Sequence, residues 1–412
     1  MQSKVLRLGL IGFFIITRVL IWIYRPIEFT DVVHNFMAYA HLWASGQRPY
    51  LDQLYEYPPG TIPLFYVPHL YDMRTLGWPW HLDYAQSYRG LMLLIDIGLF
   101  ALVWRTLTVW RVKLPVMVGA LLYYSLTTLK ANHFVYDKID WAFAAATFLG
   151  VVAPIVWRSK SRWFIGWVGF FIGVALKYIN APLVPVYAVL ERKEWRKAAM
   201  AAAVAFLLIW GLPLAIYRSS LSVSFVYFRL RGLQVESVPA TIVATVNRFT
   251  KSEQYVEVFK NYDIIGPVSQ KVRRVFDVVF PSTLILWIGY ALWTGWRAKS
   301  REINHLRMYL TMGYIFLFML TSKVLSTPFL LWHIPFLTAY PFKSLREQLK
   351  YTIPSFIIIA ISMTGVTDRP IGIFSIHLII GWLRSLLFVY LLGMWIFNQK
   401  SLQKFHQGTD LS

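Results

Sequence analysis

The chain has 412 residues, of which 57% are hydrophobic and only 15% charged, and its mean hydropathy is +0.50. Soluble domains carry about 25% charged residues, so the composition excludes an ordinary soluble protein and points to a polytopic membrane protein. The complete absence of cysteine excludes disulfides, thiol nucleophiles and thiolate metal sites. A net charge of +21 would suit nucleic acid, but the basic residues are spread over many short segments and form no single basic arm.

Apolar runs predict membrane spans near 5–24, 87–107, 114–130, 139–157, 163–190, 196–217, 278–296, 307–322, 326–341, 351–366 and 372–397. A crossing helix needs roughly 20 apolar residues. The first run is interrupted by Arg18 and followed by no small-residue cleavage site, so it reads as an uncleaved signal anchor. Residues 25–86 form a large first external loop. It begins as an amphipathic helix with Val32, Val33, Phe36, Met37 and Ala40 apolar, turns at Gly46–Pro49, and runs into the apolar stretch 58–71. Pro58, Pro59, Pro63 and Pro68 make that stretch a poor spanning helix, so it is placed along the membrane interface.

The run 163–190 is long enough for two short helices, with a break near Lys177 and Pro182, because proline disfavours helix just before itself. Broken helices at membrane depth are tolerated where they line a wet cavity. On that reading the chain crosses about 11–13 times. A second large external loop, 218–277, has Arg218, Arg229 and Arg231 near its start. The N-terminus, the segments 105–113, 158–162, 191–197, 297–307 and 343–350, and the tail from 398 hold 21 of the 41 Lys and Arg but 5 of the 20 Asp and Glu. The positive-inside rule makes these segments and both termini cytoplasmic. The fold class is therefore an all-α polytopic membrane protein, a single integral-membrane domain over 1–412. No internal repeat is visible, whereas an inverted-repeat transporter is expected to show one.

Asp31 stands at the start of the amphipathic segment on the non-cytoplasmic side. It is either a helix N-cap or a base that takes a proton from an attacking hydroxyl. His34 shares its helical face, but two ligands make no metal site. Arg18, Arg89, Lys177, Arg229, Arg231 and Lys323 are cations outside the cytoplasmic loops. An anionic ligand such as a phosphate would account for several of them, while snorkelling suffices for Arg89. Asp96, within its span, reads as a structural residue paired with an Arg, and Arg384 as paired or snorkelling. Asp137 and Asp140, one helical turn apart, either favour a helix N-terminus or contact substrate. Trp332 and His333 lie in an apolar segment, as packing residues or as contacts to phosphate or sugar.

Asp31 after the first span, Gly46-x-x-Pro49-Tyr50, Tyr57-Pro58-Pro59, Lys177 before Pro182 and Ser326-x-Pro328-x-x-x-Trp332-x-x-Pro335 occur in this order. The set resembles the GT-C superfamily of integral-membrane glycosyltransferases. Within it, the set is most similar to polyprenol-phosphate-mannose-dependent mannosyltransferases and more distantly resembles the first mannosyltransferase of glycosylphosphatidylinositol synthesis. The resemblance implies a GT-C-like bundle with interfacial helices in the first external loop and an active site on the non-cytoplasmic face. It implies a polyprenyl-phosphate sugar donor, a lipid or glycan acceptor and an inverting displacement. It places the catalytic aspartate at Asp31; the residues themselves make Arg18, His34, Tyr57, Asp137, Asp140, Lys177, Arg229, Arg231, Trp332 and His333 candidate substrate contacts. Many members carry Asp-x-Asp or Glu-x-Asp in this loop; here the nearest acid is Glu28, at a different spacing. The residues thus give no support to a divalent metal, and no cofactor is expected. A transporter or flippase of lipid-linked glycans is the competing class; a scaffold subunit is a third.

Overall fold

A computed structural model of the chain describes residues 2–24, 31–71, 83–157, 159, 161–258, 261–363 and 374–397. Glu28, Thr30 and the basic tail from 398 lie outside these residues. About 81% of the described residues are helical. In chain order the helices are α1 (Gln2–Tyr24), α2 (Met37–Ala44, continuing a π turn from Val32), α3 (Thr61–Leu70), α4 (Tyr84–Val109), α5 (Leu114–Lys130) and α6 (Asn132–Asp137). Next come α7 (Asp140–Val156), α8 (Arg162–Leu176), α9 (Val184–Leu190), α10 (Trp195–Phe206), α11 (Leu212–Tyr217) and α12 (Val223–Leu230). Strand β1 (Leu233–Gln234), α13 (Val238–Thr250), β2 (Gln254–Val258) and β3 (Asn261–Ile265) follow. The last helices are α14 (Pro267–Arg297), α15 (Ile303–Thr321), α16 (Ile334–Ala339), α17 (Leu345–Ser362) and α18 (Phe374–Phe397).

Among the described residues, five helical stretches are long and apolar enough to cross a membrane: Val5–Tyr24, Tyr84–Val109, Arg192–Val226, Pro267–Arg297 and Leu378–Phe397. Leu207, Leu208 and Leu212 on the third, and Ile285 and Leu286 on the fourth, are about two-thirds exposed or more. Bare apolar faces of that extent are costly in water and fit an all-α membrane protein. One sequence expectation needs correction. Residues 326–341 are not one continuous span: a 3₁₀ turn over Thr327–Leu331 is followed by the two-turn α16. Pro328 and Pro335 lack the amide protons a through-running helix would need. The segment 218–277 carries α12, α13, a three-stranded sheet and the start of α14.

The chain divides into two compact units. The first comprises Met1–Leu230, Leu292–Met308 and Leu330–Gln348. Its tightest helix pair is α7 against α8. A Cβ added to Gly169 would lie 2.8 Å from the Gly150 nitrogen, and one on Gly150 would lie 2.9 Å from the Phe170 nitrogen. Small residues at a helix crossing let backbones approach in a lipid setting, where apolar burial gives little drive. After α8 the chain breaks where the proline predicts: Lys177 is extended (φ −152°, ψ 125°), and a 3₁₀ turn over Tyr178–Leu183 leads into α9. The first loop docks on this break. The Gly60 amide donates to the Ala175 carbonyl at 2.8 Å, an approach with no room for a Cβ, which would sit 2.7 Å from Ala175. Upstream, Tyr50 takes a left-handed conformation (φ 63°) with its hydroxyl donating to the Tyr57 carbonyl.

The second unit comprises Arg231–Ala291, Tyr309–Phe329 and Leu349–Ser412. Its antiparallel sheet has the order β1-β3-β2, with Leu233 and Tyr255 both opposite Ile264. Leu233 and Ile264 pack on Ala240 and Val243 of α13 as a small core. Ser237 caps α13 by accepting from the Ala240 amide. The Glu253 carboxylate accepts from the amides of Val268 and Ser269 at 2.8 and 3.0 Å, at the start of α14. Burial pushes Glu253 up, but these bonds together outweigh it and hold the group below its ordinary value.

Candidate functional site

The site grows from a second chain break, between α6 and α7. Helix α6 ends at Asp137, Lys138 is extended (φ −131°, ψ 157°), and α7 begins at Asp140. Asp137 and Asp140, expected one helical turn apart, are instead separated by this break, and their side chains find different partners. Asp137 faces α4, where Arg89 grips it with two bonds of 2.8 and 3.1 Å. Asp140 faces the break after α8, where Lys177 lies 2.8 Å away, and it also accepts the Trp332 indole N–H at 2.8 Å. Lys138, between them, donates to Asp31.

Three carboxylates thus meet three cations. Tyr88 of α4 lies within electrostatic reach of Asp31, Asp137 and Asp140 together, and Lys177 feels Lys138. The pairs are graded in exposure. Arg89 and Asp137 are 8% and 0% exposed, Lys177 and Asp140 16% and 5%, Lys138 and Asp31 24% and 33%. The first is closed in the protein, while the last can be reached by a reagent. Arg89 does not snorkel, as the sequence suggested; its partner comes from another helix. Asp31 is the residue before the π turn, and its side chain makes no cap hydrogen bond. What holds it is Lys138, which the local spacing did not single out.

Trp332 closes the floor of the cluster. The Lys177 ammonium lies 5.1 Å from its ring centroid, and Phe143 packs edge-on at 4.9 Å. His333 is fully buried at the start of α16. His34 is exposed on the π turn. Tyr57 packs against Phe36, Tyr39, Tyr55 and Phe65, a lining of rings under the first loop. Sequence reasoning missed Tyr88 as well. Its hydroxyl is buried and, among the described residues, has no hydrogen-bond partner. Nothing in its local sequence marks it.

Other candidates fall elsewhere. Arg18 is engaged on all sides: Nε and Nη2 bond Asp96 at 2.7 and 3.2 Å, Nη1 bonds Thr17, and Nη2 bonds Thr128. Asp96 accepts further bonds from Tyr124, Tyr136 and Trp141. This is a satisfied buried network, which corrects the expectation that Arg18 is a phosphate ligand. A cavity of about 80 Å³ beside it is lined by Arg18, Gln86, Arg89 and Tyr136 with three apolar residues. Arg231 is buried in the second unit, 3.9 Å from Asp263. Arg384, in the same unit, donates to the Glu236 carbonyl. The side chain of Arg229 lies outside the described residues. Among the described residues no group of three or more His, Asp or Glu is placed to hold a metal ion.

An apolar groove of about 700 Å³ reaches Leu176, at the end of α8 just before the break at Lys177. One wall is a stripe of α4 (Leu91, Ile95, Gly98, Leu102, Arg105); Ala142, Ala145, Ala146 and Leu149 of α7 and Leu176 of α8 form the other. At 1.5 Å per residue, the stripe from Leu91 to Arg105 runs about 21 Å. Gly60, Pro63 and Leu64 stand at one end with Leu176, the neighbour of Lys177.

No protein-family model matches the chain, and no curated protein matches it either.

Proposed function

We propose that the chain is a multi-pass membrane glycosyltransferase. It moves a sugar, a mannose-like hexose first among the candidates, from a polyprenyl-phosphate donor to a lipid or glycan acceptor. In this reading the helices form a GT-C-like bundle of about 11–13 crossings, both termini are cytoplasmic, and the Asp31 cluster faces the other side. The observation that carries it is the open Asp31–Lys138 pair in one cluster with Lys177, whose chain neighbour Leu176 lines an apolar groove. A phosphate head would find two ammonium groups there, and its hydrocarbon tail a channel.

The chemistry needs little else. The acceptor oxygen attacks the anomeric carbon, its proton passes to the Asp31 carboxylate, and the bond from that carbon to the phosphate oxygen breaks with its electrons staying on the phosphate. Lysine ammonium groups stabilise that charge as it grows. Attack opposite the leaving phosphate inverts the sugar. Arg89 and Asp137 hold the chain break in place without touching the reactants, and Trp332 fixes Asp140.

The groove gives the direct test. A Cβ on Gly98 meets nothing within 4 Å, so Gly98→Phe projects into the channel without disturbing the backbone. It is expected to raise KM several-fold for a long-chain polyprenyl donor while leaving a short-chain, water-soluble analogue unaffected. Equal KM for both donors in the variant and the parent would mean the groove holds no tail. A transporter or flippase of lipid-linked glycans remains the rival, and it requires no base at Asp31.

A further inference from the structure

We infer that Lys138 is an exchangeable cation. It rests on Asp31 and moves to the phosphate when the lipid ligand arrives, so that ligand binding itself uncovers the base. The inference rests on the reading of the cluster as a phosphate site and adds how that site is regulated.

Without a ligand the cluster is self-neutralised: Asp31 with Lys138, Asp137 with Arg89, Asp140 with Lys177. A phosphate entering it meets three carboxylates whose cations are already engaged, so a cation has either to leave its carboxylate or to divide its three N–H donors between the two anions. The geometry selects which. Arg89 is buried and bidentate on Asp137, and breaking such a pair strands a charge in the interior. Lys177 is nearly as confined, and its partner Asp140 is also fixed by Trp332. The Lys138–Asp31 pair is the most open of the three and the least costly to break, since exposed pairs are worth little. Lys138 is on extended backbone between two helices, with a flexible four-carbon stem and a freely rotating ammonium. It is also close enough to Lys177 for the two to repel, and a shared phosphate removes that repulsion. A carboxylate oxygen holding an ammonium is poorly placed to take a hydroxyl proton. Moving Lys138 frees it only when the donor is present, which limits wasteful reaction with water.

The test is a double-mutant cycle on binding, using the full-length protein in phosphatidylcholine nanodiscs and undecaprenyl phosphate as probe. Inorganic phosphate and undecaprenol, run in parallel, separate the head from the tail. Asp31→Asn is expected to tighten undecaprenyl phosphate binding about fivefold, because Lys138 no longer has to leave a carboxylate. Lys138→Met is expected to weaken it by a similar factor, and Asp31→Asn should then have no further effect. Lys138→Gln replaces the Met variant if that one fails to reach the membrane. The proposal falls if Asp31→Asn tightens binding equally with and without Lys138, which is plain loss of a negative charge, or if it changes nothing. Weakening by Lys177→Met but not by Lys138→Met overturns the exchange and leaves the phosphate site standing. Indifference of binding to both lysines overturns the exchange and the phosphate reading together.

Discussion

Asp31→Asn is expected to lower sugar transfer by about 10²–10⁴-fold, the range found when a general base is removed. Folding should be retained. The substitution is isosteric, Asp31 makes no cap bond, and the ion pair it dissolves is partly open to solvent. Expression, monodispersity in detergent and binding of polyprenyl phosphate should therefore survive while turnover collapses. The loss belongs in kcat as well as kcat/KM, since proton transfer is needed in the transition state rather than for binding. Near-normal transfer in this variant would reduce Asp31 to an anchor for Lys138 and remove the base from the mechanism.

The second large effect concerns stability. Arg18→Leu leaves Asp96 buried with tyrosine and indole donors but no counter-charge. Stranding one partner of a buried pair typically costs about 3–5 kcal/mol. The expected result is a clear drop in the thermal unfolding midpoint of the solubilised protein. Asp96→Asn in the same chain should recover much of it, by removing the charge and keeping an oxygen for the three donors. The opposite pattern, an unchanged midpoint with donor binding lost, would return Arg18 to the list of phosphate ligands.

The sequence made some of this legible and hid the rest for physical reasons. Long apolar runs such as Tyr84–Val109 and Pro267–Arg297 are visible because a bilayer demands them. The break at Lys177 is visible because Pro182 follows it. The break at Lys138 carries no proline or glycine, so a span is legible from 139 but not that Asp137 and Asp140 lie on separate helices. Ion pairs were the weakest point. That Asp96 pairs with an Arg was legible, but not that the Arg is Arg18, 78 residues away; Arg89 and Asp137 are 48 residues apart and Asp31 and Lys138 107. No local spacing can report contacts of that separation; Arg89 looked like a snorkelling residue because its partner lay outside its own segment. The sheet in 233–265 was missed because its strands have two to five residues, too few to show a period of two. The role proposed for Asp31 came from the resemblance to GT-C enzymes alone, while its partner Lys138 came from the geometry.

The most direct measurement is transfer itself. Purified full-length protein, reconstituted in liposomes, would be given radiolabelled polyprenyl-phosphate mannose, glucose, galactose and a pentose, each with a glycolipid acceptor extract. Label should move from one of these donors to an acceptor, with polyprenyl phosphate left behind. Recovery of every donor intact, from protein that is folded and correctly inserted, would contradict the account.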